Sequence, residues 1–237
     1  MLFLIFNAMC GRYTFIPKKE AKGRSRAVKL LKQYHDEARY NAAPSQLLPV
    51  ITNEAPDTLQ FFSWGLLPHW AREKGYKHKS INARAESLTE KPTFRELINS
   101  RRCLVPADSF YEWRATSAGK QPYRILLKSE ELFCFAGLWD AWTDKETGEV
   151  VDSFTIITTE ANKLMRPIHE RMPVLLHPEE EELWLSSEQA NEHLLSLLRP
   201  YPSGELKAYP VSQLVNSPAN DTPRVLDPVG EQGSLFS

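Results

Sequence analysis

Four short segments combine reactive polar side chains with apolar neighbours. The first is Met9-Cys10-Gly11-Arg12-Tyr13. If everything through Met9 is removed, Cys10 carries an α-amine and a thiol on adjacent carbons. Such a pair reacts with an aldehyde in two steps: the amine forms an imine, and the thiol then closes a five-membered thiazolidine ring. Proximity makes the closure effectively unimolecular. An α-amine titrates at about 7.7–8.0 and a thiol at about 8.5, so both are partly nucleophilic near neutral pH. Gly11 allows close backbone approach, and Arg12 offers a guanidinium to a phosphate. In Ile81-Asn82-Ala83-Arg84-Ala85-Glu86, Asn82 and Arg84 alternate as strand neighbours and present an amide and a guanidinium on one face. In Pro106-Ala107-Asp108-Ser109-Phe110-Tyr111-Glu112-Trp113, Glu112 stands between two aromatics, a setting that raises a carboxyl pKa and suits it to proton transfer. In Pro167-Ile168-His169-Glu170-Arg171-Met172-Pro173, His169 falls in a loop or turn between two prolines, and histidine is the natural proton shuttle near neutral pH.

Each of these residues has an ordinary alternative. A lone cysteine is more often buried than nucleophilic. A lone histidine is more often a surface or satisfied polar group, Glu112 can serve as an ion-pair partner, and Asn82 can form a turn. Spacing alone does not bring the four together. Cys103 and Cys134 lie in apolar, strand-like stretches and read as buried core thiols. Three cysteines, none in a C-x-x-C pair or near metal-spaced histidines, argue against a disulfide framework and a structural zinc. No cofactor or metal is required by this chemistry.

These residues must be carried on a chain of 237 residues, enough for one sizeable core. With 42% apolar and 25% charged residues, the composition is that of a soluble globular protein. Residues 19–38 show helical spacing, 40–44 a turn, and 47–51 and 58–64 strands. Residues 69–79 are polar, basic and without periodicity, which predicts a loop. Residues 93–101 predict a short helix, with Thr93 and Glu96 spaced as a capping box. A run of strands follows at 103–106, 123–128, 132–138, 154–158 and 174–176, with a hairpin-type turn at 144–148. Helices are expected at 179–185 and 188–198. Clustered strands with flanking helices predict a single α+β domain.

Taken together, the motifs closely resemble the SRAP family (SOS response-associated peptidases), abasic-site processing proteins found from bacteria to animals. The match runs over residues 9–228. It includes Cys10-Gly11-Arg12-Tyr13, Arg39-Tyr40-Asn41-Ala42-Ala43-Pro44, Trp64-Gly65-Leu66-Leu67-Pro68 with Trp70, and Asn82-Ala83-Arg84-Ala85-Glu86. It continues through Arg101-Arg102-Cys103-Leu104-Val105-Pro106-Ala107, Phe110-Tyr111-Glu112-Trp113 and His169-Glu170-Arg171-Met172-Pro173 to Val211-Ser212 and Val215-Asn216. The resemblance implies a compact, largely β α+β fold with a twisted-sheet or barrel core and a positively charged groove for single-stranded DNA. It implies that the Cys10 amine and thiol attack the ring-opened aldehyde of an abasic site. Asn82 would position the sugar, Glu112 would act as general acid/base beside the amine, and His169 would promote ring opening. Arg12, Arg84 and Arg171 would contact DNA, with Trp70 and Trp113 near unstacked bases. Members are also described as thiol autopeptidases, and some show strand-cleaving lyase activity at abasic sites. In the family the cysteine directly follows the initiator methionine, whereas here eight residues precede Met9. These residues, 1–8, read as a leader from a misassigned start or a removable segment; a short ordered strand is the rival reading. They are too short for a signal peptide, and no segment is long and apolar enough for a membrane span, so a cytoplasmic location is expected.

The formal net charge is −1, so DNA binding requires a local basic face. Between residues 71 and 102, nine basic residues face four acidic ones, a local net charge of +5. Residues 229–237 read as a flexible tail. Within it Gln232-Gly233-Ser234-Leu235-Phe236 looks like the peptide with which bacterial repair proteins dock on the sliding clamp, using Gln232, Leu235 and Phe236. Two other readings stay open. One is a thiol peptidase with Cys10, His169 and Glu112 as nucleophile, base and orienting group; the other is a noncatalytic DNA-binding module.

Overall fold

The structure, a computed structural model, describes residues 10–17, 25–31, 38–76 and 79–230. Its strands are β1 (Tyr13–Phe15), β2 (Arg39–Ala42), β3 (Leu47–Thr52), β4 (Gln60–Trp64), β5 (Asn82–Arg84), β6 (Arg102–Ala107), β7 (Ser109–Thr116), β8 (Gly119–Leu127), β9 (Phe133–Thr143), β10 (Val150–Glu160), β11 (Arg171–Pro173), β12 (Leu175–Leu176) and β13 (Leu206–Pro210). Its helices are α1 (Arg26–Leu31), α2 (Pro92–Arg95), α3 (Leu97–Ser100), α4 (Pro178–Leu185) and α5 (Asn191–Ser196). The leader (1–8) and the candidate clamp residues Gln232, Leu235 and Phe236 lie outside the described residues, as does most of the expected 19–38 helix around α1.

The longest apolar alternations form the longest strands. β9 and β10 are joined by the 144–148 turn, where Asp144 Oδ1 accepts from the N–H groups of Glu146 and Thr147. β10, β4, β3, β6 and β9 pair in that order, and β9 closes back onto β10, so five of the described strands form a barrel. Pairing within these five strands is antiparallel except between β10 and β4, where Phe154 lies opposite Trp64 in parallel. Beyond Trp64, Gly65 takes a φ of +128°, and its N–H donates to Phe154 O at 2.9 Å. β5 then resumes the same parallel edge of β10, with Asn82 opposite Ile156.

Alternation assigns each strand two faces. Leu48, Val50, Phe62, Trp64, Cys103, Val105, Phe135, Phe154 and Ile156 turn into one apolar cluster. Ile51, Leu104, Ala136, Leu138 and Ile157 turn the other way and pack with Phe94, Ile98, Trp184 and Leu194 of the helices. The second sheet, in the order β13-β8-β7-β1-β2, adds Tyr13, Phe110 and Ile125 to the first cluster. There Tyr13 meets Phe135 edge-on at 5.8 Å, the arrangement ring quadrupoles favour. Arg102 is buried at the junction of helices and barrel. It donates through Nε to Trp184 O and through its terminal nitrogens to the carbonyls of Ile98, Asn99 and Ser186. One guanidinium thus serves orphan carbonyls at the ends of both α3 and α4.

The result is a single α+β domain, largely β, as the sequence leads one to expect. No helix among the described residues is long and apolar enough to cross a membrane. Two local expectations are corrected. Residues 39–42 form β2 rather than a turn, because the N–H groups of Tyr40 and Asn41 both donate to Asp221 Oδ1 and Ala42 pairs with Tyr13. The 93–101 helix is two helices, α2 and α3. The first begins with Pro92 at N1 after Lys91, so Thr93 is not the N-cap and the expected capping box is absent there.

Where β9 passes β6 the core leaves no room for a side chain. A Cβ on Gly137 would lie 2.9 Å from Cys103 Sγ and 3.0 Å from Thr155 O. Gly137→Ala is therefore expected to cost about 1–3 kcal/mol through overpacking, read as a lower denaturant midpoint at unchanged slope; an unchanged midpoint would show that the strands separate at no cost.

Candidate active site

β1 is short, yet it sets the position of Cys10. Tyr13 lies opposite Phe110 and Thr14 opposite Ser109, and Tyr111 N donates to Arg12 O. Continued past Tyr13, this antiparallel register carries Cys10 and Gly11 to the level of Glu112. The Cys10 backbone N–H donates to Glu112 Oε1 at 2.5 Å. Cys10 is fully buried and holds a φ of +41°, the left-handed region that residues with a Cβ avoid. β1 is braced from below by a buried polar group: Arg124 donates to Ser109 Oγ and Asp108, and Asp108 accepts from Ile16 N.

Glu112 is 2% exposed. Burial pushes its carboxyl up to about 7, against the opposing pull of the Cys10 and Trp113 N–H groups and the Lys120 charge. The Cys10 thiol is pushed well above its ordinary value, first by burial and then by the neighbouring Glu112 charge. Near neutral pH the site therefore holds a protonated thiol beside a carboxyl poised to exchange its proton.

Asn82 and Arg84 share a face of β5, as their alternation suggests, while Ala83 is buried beneath them. Trp64 Nε1 donates to Ile81 O and Ile156 N to the same carbonyl, which ties the start of β5 to the barrel. His169 lies in a tight turn whose N–H donates to Met165 O. Its Nδ1 accepts from Arg171 N at 3.1 Å, an assignment that leaves the proton of the neutral ring on Nε2. Burial lowers its pKa, and the charge of Lys120 adds to that. Cys10, Ile156, Ile168 and Met172 belong to the same large apolar cluster, Ile156 lies opposite Asn82 in the sheet, and Ile168 directly precedes His169.

Other predicted residues separate into two groups. Trp70 is 49% exposed, with its ring nearly perpendicular to that of Tyr76 at a centroid distance of 5.7 Å. Arg84 is also exposed. By contrast Arg12 donates through one terminal nitrogen to Val215 O at 2.7 Å and to Asn41 Oδ1, pinning the 215–221 segment. Trp113 Nε1 donates to Asn216 Oδ1 in the same segment. Arg171 grips both oxygens of Glu86, at 2.6 and 2.8 Å, which lowers the Glu86 pKa. Of the nine basic residues counted between 71 and 102, Arg102 is buried under the helices and Arg101 bonds the buried Asp140. Cys103 and Cys134 are buried free thiols. Sequence reasoning did not single out Asn41, whose amide donates to the carbonyls of Val215, Ser217 and Asn220, or Lys120, whose charge reaches both Glu112 and His169. Asn41 lies inside the Arg39–Pro44 motif, but nothing in that motif sets it apart, and nothing in the pattern around Lys120 marks that residue.

The family model of SOS response associated peptidase (SRAP) matches residues 9–218. The abasic site processing protein YoqW of Bacillus subtilis (strain 168) is 44% identical over 223 residues, covering 92% of this chain and 99% of that protein. The abasic site processing protein HMCES of Gallus gallus is 31% identical over 244 residues, covering 89% and 72%. The crystal structure of a protein from Bacteroides thetaiotaomicron matches with a TM-score of 0.77 at 35% identity, covering 94% of this chain and 98% of that one.

The folded state holds the Glu112 proton more tightly than an unfolded chain, where a glutamate titrates at about 4.3. The resulting stabilisation is fully present below that value and is lost as pH rises through about 7. Glu112→Gln, a neutral mimic, is expected to melt above the parent at pH 8, with the gap closing toward pH 5. A gap independent of pH would mean that Glu112 does not titrate in this range.

Proposed function

Because the chain belongs to the SOS response associated peptidase family, we propose that it processes abasic sites in single-stranded DNA by capturing the ring-opened aldehyde on Cys10. The observation that carries this reading is the Cys10 nitrogen lying 2.5 Å from a carboxyl that titrates near 7. Once everything through Met9 is removed, that nitrogen is a primary amine. Attack on the aldehyde carbon forms a carbinolamine, and Glu112 takes the proton shed by nitrogen and returns it to the departing hydroxyl, which leaves as water. The thiol then adds across the C=N bond: sulfur bonds carbon, and the thiol proton passes to nitrogen. Aldehyde, amine and thiol become thiazolidine and one water. Asn82 orients the sugar, and His169, with its proton on Nε2, assists ring opening. Elimination from the imine would add strand cleavage.

Arg84, Trp70 and Trp113 are the proposed DNA contacts. Arg12 and Arg171, the other two arginines of that set, already commit donors to Val215, Asn41 and Glu86, whereas Arg84 is exposed, so Arg84 carries the largest share of phosphate affinity. A thiol peptidase using Cys10, His169 and Glu112 is the second reading. It needs an ionised thiol, and burial beside Glu112 works against one. The proposed protein partner is a sliding clamp, engaged by Gln232, Leu235 and Phe236; deleting residues 232–236 should then abolish its pulldown by the clamp, and an unchanged pulldown would end the idea.

The deciding experiment mixes single-stranded DNA carrying one abasic site with protein whose Cys10 amine is free and with protein retaining a blocked leader. Only the free form should give a heat-resistant shifted band on a denaturing gel, and Glu112→Gln should form it at least about a hundredfold more slowly. DNA binding by both forms without any shifted band would overturn the proposal.

A further inference from the structure

The loop that carries Trp70 leaves the barrel after Trp64 and returns through a bridge between Leu66 and Ser80, two residues before Asn82. Leu67 and Ala71 of this loop are buried with Trp142, and Tyr76 and Val151 pack against them. Hydrogen bonds with β9 and β10 add to this anchor. Leu67 N donates to Ser153 Oγ at 2.8 Å, and Trp142 Nε1 donates to Ala71 O at 2.7 Å. Between these two anchors stands Asp140, whose side chain is 1% exposed. Its Oδ2 accepts from His69 N at 2.8 Å and lies 3.0 Å from His69 Nδ1. Its Oδ1 accepts from Arg101 at 2.9 Å and from Ala141 N at 2.9 Å. Arg101 in turn lies over the Trp139 ring, 4.9 Å from its centroid.

A buried carboxylate survives only with this many donors. What distinguishes Asp140 is that its Oδ2 takes both bonds from the residue immediately before Trp70. Ala71 N, the residue immediately after, closes onto Pro68 O at 2.9 Å. An exposed indole is thus mounted on backbone held on either side, with the Tyr76 ring nearly perpendicular to it. That is the arrangement a base-stacking platform requires, because a swinging ring would lose its entropy on every binding event.

We infer that Asp140 is a positioning residue that fixes the orientation of Trp70 toward single-stranded DNA, acting through His69. The inference rests on the reading of Trp70 as a DNA contact. The test is a double-mutant cycle on full-length protein with a free Cys10 amine, measuring affinity for an undamaged single-stranded oligonucleotide at fixed salt. Trp70→Ala should weaken binding about tenfold. Asp140→Asn should weaken it about three- to tenfold, His69→Ala less, and neither should add anything in the Trp70→Ala background. The crosslinking rate at saturating abasic DNA should stay within about twofold of the parent in Asp140→Asn, which a general loss of fold would not allow. If Asp140→Asn and His69→Ala cost the same factor with and without Trp70, the positioning role is overturned while the stacking reading stands. If Trp70→Ala binds as the parent does, the stacking reading falls and this inference with it.

Discussion

The Cys10 nitrogen meets Glu112 because two strands in different parts of the chain are held in one register, and much of the molecule serves that register. β1 alone is three residues long and would not hold itself. It is kept in place by β7 on one side, β2 on the other, the Asp108–Arg124 pair beneath, and Arg12 reaching across to Val215. A slip of one residue would turn Cys10 away from Glu112 and every neighbouring side chain to the wrong face. The barrel supplies the rigid, apolar wall against which this small sheet packs, and that wall also makes the carboxyl expensive to ionise. Fold and chemistry thus meet in one quantity, the cost of charging Glu112.

The long barrel strands were legible from their residues because alternation and apolar content agree with where they lie. β9 and β10 are longer than expected, since Asp140 and Asp152 interrupt the apolar pattern without interrupting the pairing. β2 was not legible: Ala-Ala-Pro reads locally as a turn, and the bonds that extend it come from Asp221, far along the chain. The missing capping box has a local cause, since Pro92 fixes the helix start one residue before Thr93.

The candidate site divides along the same line. Cys10, Asn82, Glu112 and His169 stand out by chemical type, because rare polar groups amid apolar ones invite explanation. Asn41 and Asp140 do not, because their significance lies in partners distant in sequence that no spacing rule connects. Arginines were the least legible of all. Arg84, Arg102 and Arg171 look alike in a list of basic residues, yet one faces solvent, one serves helix ends and one is locked to Glu86.

The left-handed φ of Cys10 carries a consequence of its own. That torsion is defined only while an acyl group precedes the nitrogen. For an L-residue it costs roughly 1–2 kcal/mol, and a free amine has no such torsion to satisfy. The strain therefore belongs to the acylated residue alone. If the bond before Cys10 is cut, as the proposed chemistry requires, hydrolysis would discharge that strain and rejoining would have to restore it: the tension would be spent once, leaving the proposed nucleophile relaxed beside Glu112.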